Sequence, residues 1–188
     1  MKNYVGVVIL LIAVSLVVTG CLSTNKATYM SEQIDLKAAI SSHGYSTSLP
    51  SDYTLTANID LKREGNADGI SYKIHLEKAT VMMENVVISF HLDPRMFDKV
   101  NTSHVFTSTT QDNIPIAIGP TGDTLGAVLG RQFVLNKGKI DREMKNIYST
   151  IYAKIAYGPV ENRITDYIQL NANVSTELED YINQNIES

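Results

Sequence analysis

His75, His91 and Glu77 are the side chains whose types could hold a metal ion. Two imidazoles and a carboxylate suit zinc or copper, provided that strand pairing brings them onto one face. His75 and Glu77 are two residues apart and share a face of an extended strand, whereas His91 falls on the polar side of a later run. The cheaper reading of the same letters is solvated histidines on wet strand faces. His43 and His104, the other two, stand in loop-like sequence without ligand-like neighbours. Asn66-Ala67-Asp68-Gly69 has the composition of a calcium loop. With Gly69 in the sixth position of an EF-hand loop, however, the twelfth is His75 instead of a glutamate, and a strand follows instead of a helix. A tight turn built on Asp68-Gly69 is the expectation there.

Motifs for covalent or phosphate chemistry are missing. The chain has no Gly-x-Ser-x-Gly and no His-Glu-x-x-His. Gly119, Gly122, Gly126 and Gly130 crowd together but lack the Gly-Lys-Ser/Thr of a phosphate loop, so they are expected to serve turns. No cofactor is called for, and the reading favours a protein that is not an enzyme. Sixteen Lys and Arg against 20 Asp and Glu give a net charge of -4. That balance lacks the basic stripe of a nucleic-acid binder. A single cysteine excludes an intrachain disulfide. Asp93-Pro94-Arg95-Met96-Phe97-Asp98 sets apolar residues between charges, as a contact surface or a loop tucked over the core would.

The N-terminus carries the sharpest signal. After Met1-Lys2-Asn3-Tyr4, residues 5–18 are an unbroken soft run, V-G-V-V-I-L-L-I-A-V-S-L-V-V. As a helix it would rise about 21 Å, short of a bilayer core about 30 Å thick. A positive start, an apolar run and then small residues is the layout of a secretory signal peptide. Val18-Thr19-Gly20-Cys21 resembles the bacterial lipobox of lipoprotein precursors. The resemblance implies cleavage between Gly20 and Cys21, and a diacylglyceryl lipid, with fatty chains such as palmitate, on the Cys21 thiol. It also implies an extracytoplasmic protein held at the cell membrane, or at an outer membrane in a Gram-negative envelope. Two or more acyl chains anchor far more firmly than one. Losing residues 1–20 removes one lysine and no acid, which moves the net charge from -4 to -5. The lipid, and not surface charge, then has to hold the protein to an anionic membrane. An envelope protein or a cell-wall component is the expected partner.

The elements that must position these residues read as strands. Residues 21–30 are expected to be the lipidated N-terminus and a polar tether, and residues 31–188 one β-sandwich-like domain. The pattern of residues 31–40 is ambiguous. Tyr53, Leu55, Ala57, Ile59 and Leu61 alternate with polar residues, and Ile70, Tyr72, Ile74 and Leu76 repeat the pattern after a break. A third run sets Val86, Ile88, Phe90 and Leu92 on one side. Short strands are also expected at 105–106, 114–118 and 132–135. A short helix at 141–148, a strand at 150–157, a hairpin loop at 158–162, a strand at 163–170 and a closing helix at 176–185 follow. The tyrosines crowding the C-terminal third are read as core or sheet-face residues. The spacing suggests an immunoglobulin-like antiparallel β-sandwich with one or two short helices.

Overall fold

In the computed structural model, residues 26–65, 67–111, 115–121 and 124–186 are described. The apolar run, Gly20 and Cys21 lie outside them. No helix among the described residues is long and apolar enough to cross a membrane.

The chain is mainly β, and the strands among the described residues form two four-stranded sheets. A helix, α1 (residues 26–41), comes first. Strands β1 (Thr54–Glu64), β2 (Ala67–Glu77), β3 (Val87–Leu92), β4 (Phe106–Ser108) and β5 (Gly126–Val134) follow. Then come α2 (Arg142–Ile147), β6 (Thr150–Tyr157), β7 (Ile164–Asn171), β8 (Asn173–Val174) and α3 (Thr176–Ile186). One sheet has the order β5-β2-β1-β8 and the other β4-β3-β6-β7. Every strand pair is antiparallel except β1 with β8, a departure from an all-antiparallel sandwich.

The alternation in β1 and β2 does what period-2 patterning requires. Leu55 faces Leu76, Ala57 faces Ile74 and Ile59 faces Tyr72, all buried on one side of the sheet. Ile88, Phe90 and Leu92 meet them from the other sheet, with the Tyr72 and Phe90 ring centres 6.5 Å apart. Burying each such side chain contributes about 1.5–3 kcal/mol, which makes this shared layer the main source of stability. Glu64 pairs with Ala67 where β1 gives way to β2, and Gly65 takes φ +58° there. Asp68 and Gly69, expected to make the turn, are already inside β2, opposite Arg63 and Lys62.

The glycine cluster also departs from expectation, since Gly126 and Gly130 lie in β5. A Cβ at Gly126 would stand 2.7 Å from the Leu76 carbonyl oxygen, so the close approach of β2 to β5 excludes a side chain there. Beta-formers expected at 114–118 supply only a bridge between Ile118 and Met83 among the described residues. The Asp141 carboxylate accepts the Met144 amide at 2.8 Å and caps α2, after which β6 begins where the β-branched run starts.

Three α-helices, not one or two, occur among the described residues, and the unexpected one is α1. It takes in residues 26–30, which were expected to be tether. It ends in a Schellman-type cap. The Gly44 amide bonds the Ala39 carbonyl and the His43 amide that of Ile40, with His43 at φ 55°. His43 therefore serves backbone geometry.

Candidate functional site

The three candidate metal ligands do not meet. His75 and Glu77 project from the outer face of β2, with His75 Nδ1 3.9 Å from Glu77 Oε1. His91 sits on β3 in the opposite sheet, facing outward on the far side of the sandwich. The core layer separates them because β2 and β3 are joined by a crossing loop and not by pairing. Among the described residues no three His, Cys, Asp or Glu side chains gather closely enough to hold a metal ion. His75 Nε2 is buried without a hydrogen-bond partner among them.

His91 instead lies under α1. The outer face of β3 and β6 carries Ser89, His91, Tyr152 and Lys154, all buried. Above it, α1 places Tyr29, Leu36 and Ile40 against Phe106 and Tyr152 to make a second small apolar cluster, which Tyr45 and Tyr167 complete. Lys154, 5% exposed, donates to Glu32 at 3.1 Å and to Asp35 at 2.9 Å. Glu32 also accepts from the Ser89 hydroxyl at 3.0 Å, and the Ser89 and Ser108 hydroxyl oxygens are 2.8 Å apart, with Ser89 free only to accept there. Burial alone would pull the Lys154 pKa down, but the hydrogen bond to Asp35 and the charge of Glu32 outweigh it and leave the value raised. The ammonium is therefore kept charged beneath the helix. This cluster joins two elements through buried charge-assisted bonds.

Beside it His91 and His104 line one cavity of about 270 Å³ with Lys37 and Phe97. Burial lowers the pKa of both imidazoles, and the Arg131 charge lowers that of His104 further. The His91 Nδ1 proton is directed at the Leu92 carbonyl. Arg131 reaches from β5 across the sandwich edge, donates to the Phe106 carbonyl and stands 3.0 Å from His104 Nδ1. Lys37 in the cavity and Arg131 beside His104 make this a positively charged setting, which suits a hydrogen-bonding or anionic group better than a metal ion.

The 93–98 segment divides its apolar residues between both expected roles. It forms a 3-10 turn in which Asp93 accepts from the Arg95 amide and guanidinium at 2.8–3.0 Å. Met96 is fully buried in the core, and Phe97 is 47% exposed. Of the C-terminal tyrosines, Tyr148, Tyr152 and Tyr157 are buried, as sheet-face and core residues are. Tyr181 bonds Asp68 at 3.0 Å, and burial first and that carboxylate second push its pKa up to about 12.

The Lys154 cluster was not found from sequence. Its signal was there, because Lys154 is the only charged residue in a strand of β-formers, and Glu32 and Asp35 stand three apart. No family model, no curated protein and no solved structure matches the chain.

Proposed function

We propose that the chain is the precursor of a lipid-anchored, extracytoplasmic lipoprotein whose folded part is a non-catalytic binding or structural module of the cell envelope. The observation that carries this reading is Val18-Thr19-Gly20-Cys21, which places the chain's only cysteine directly after a charged start and a short apolar run. The diacylglyceryl lipid on Cys21 is the membrane attachment, and its partner is another envelope protein or a cell-wall component.

The module is immunoglobulin-like in this reading. That architecture puts strands A, B and E in one sheet and C, F and G in the other. In chain order, β1, β2 and β5 correspond to A, B and E, and β3, β6 and β7 to C, F and G, with β4 added beside C. The antiparallel sense of each of these pairs supports the assignment. Tyr72 and Phe90 occupy the centre that a disulfide and a tryptophan fill in antibody domains. Such sandwiches present binding surfaces on loops and sheet faces.

Mass spectrometry of the chain extracted from membranes tests the anchor. The expected product begins at Cys21 and carries a diacylglyceryl mass, whereas Cys21→Ser leaves residues 1–20 in place and adds no mass. A full-length, unmodified chain in the soluble fraction overturns the reading.

A further inference from the structure

The sandwich has two unlike ends. At one, α2 and α3 close the core, and α3 carries Glu177, Glu179 and Asp180 with no basic residue. The other end holds residues 78–86, 115–121, 124–125 and 158–163. They are tied together by the Met83–Ile118 bridge, by Gly158 N–H donating to the Glu84 carbonyl at 2.7 Å, and by Arg163 donating to the Asn85 carbonyl at 3.0 Å.

Among the described residues, five of the eleven exposed large apolar side chains stand at this loop end. Val160 is 80% exposed, Leu125 60% and Met82 59%, and Ile164 and Val81 join them. Single exposed apolar residues are ordinary, but several held together on one end are a feature of a contact surface. Near the start of α1, Thr28 faces this end while the neighbouring Tyr29 ring packs on Phe106, opposite His91. Thr28 lines a cavity with Val87, Thr110, Arg163 and Thr165, whereas Lys37, further along the helix, reaches His91 and Pro94 toward the other end. Four residues lie between Cys21 and Lys26, so five Cα–Cα steps give a reach of at most about 18 Å fully extended. An 11-residue strand such as β1 spans roughly 35 Å, so the tether reaches about half the length of the sandwich.

We infer that the loop end, through Val160, Leu125 and Met82, docks onto the interfacial layer of the phospholipid bilayer that holds the Cys21 lipid. The inference rests on the lipoprotein reading, and its physical basis is insertion of apolar side chains at headgroup depth rather than charge attraction. In sequence, Glu84, Asp123 and Glu161 outnumber Lys78 and Arg163 over 78–86, 115–125 and 158–163, so charge attraction to the bilayer does not drive the contact.

The chain contains no tryptophan, so a single introduced one is a clean depth probe. Val160→Trp, Leu125→Trp, Ile34→Trp on the outer side of α1 and Lys139→Trp at the opposite end are each placed in the full lipidated chain. Each is reconstituted in phosphatidylcholine vesicles with brominated acyl chains. The expected result is a blue shift and loss of emission for Val160→Trp and Leu125→Trp, with Ile34→Trp and Lys139→Trp unchanged. Unquenched Val160→Trp and Leu125→Trp, with the lipid mass present on Cys21, overturn the docking and leave the anchor standing. Quenching of Ile34→Trp instead means that the domain lies on α1 and equally overturns it. Absence of the lipid mass overturns anchor and docking together.

Discussion

The two sheets are built from the same pattern, apolar residues inward and polar residues outward, yet their outer faces live in different surroundings. On β1 and β2 the outward Thr56, Asn58, Lys73 and His75 stay wholly or partly open to solvent. On β3 and β6 the outward Ser89, His91, Tyr152 and Lys154 are buried because α1 lies over them. His75 and His91 make the contrast concrete: both follow one apolar strand residue and precede another. Alternation fixes which way a side chain points. It does not say what waits there, and only the presence of a covering element decides whether a polar residue is hydrated or must find partners.

The sharpest way to break this contrast is to thin the cover. Leu36→Ala removes a 1% exposed side chain from beneath α1 and is expected to cost about 2–3 kcal/mol in urea denaturation. Val128→Ala, on the outer face of β5, is expected to change stability by less than about 0.5 kcal/mol. Equal losses would mean that α1 adds no packed layer. Next comes the buried ion cluster. Lys154→Ala strips Glu32 and Asp35 of their shared cation and is expected to cost about 1–2 kcal/mol, tempered by the solvent that Asp35 still sees. Lys73→Ala, on the open face, is expected to cost less than about 0.5 kcal/mol. A double-mutant cycle between Lys154→Ala and Glu32→Gln reads the coupling directly.

Acid and base sharpen the comparison further. The raised Lys154 value and Tyr152, pushed up to about 12 by burial first and Tyr45 second, both belong to the covered face. A group whose folded pKa is raised stabilises fully below its unfolded value and loses that stabilisation as pH climbs through the folded one. Thermal melts should therefore hold steady to pH ~10 and fall between there and about 12. Lowered His91 and His104 act in the opposite direction. Their contribution is present above the ordinary histidine value of about 6.5 and is lost as pH falls below it. His91→Ala is expected to flatten that acid limb. The smallest effect is expected on the open face, where His75→Ala should shift stability by less than about 0.5 kcal/mol. A larger loss there would show that its unpartnered Nε2 faces something structural.

Legibility followed the same division. The β1–β2 pair, the α2–β6 boundary and α3 could be read because one polar face met water and Asp141 or Gly158 marked the limits. Helix α1 was not legible, because its buried Leu36 and half-buried Tyr29 and Ile40 are accompanied by exposed Met30 and Ile34. Apolar residues on both sides smear the helical period. The first half of β5 was hidden by its glycines, of which a close strand approach demands Gly126, and β8 by its two-residue length. Of the proposed metal set, the His75–Glu77 neighbourhood followed from spacing alone. The position of His91 depended on sheet membership, which no local pattern encodes.

Glu32 and Asp35 reach a lysine 122 and 119 residues downstream. On a ribosome adding about 5–20 residues per second, helix α1 therefore waits roughly 6–24 s before its seat has even been synthesised. The earliest part of the domain to be made thus cannot take its place until most of the chain has followed it, and until then it stays unlatched and threadable.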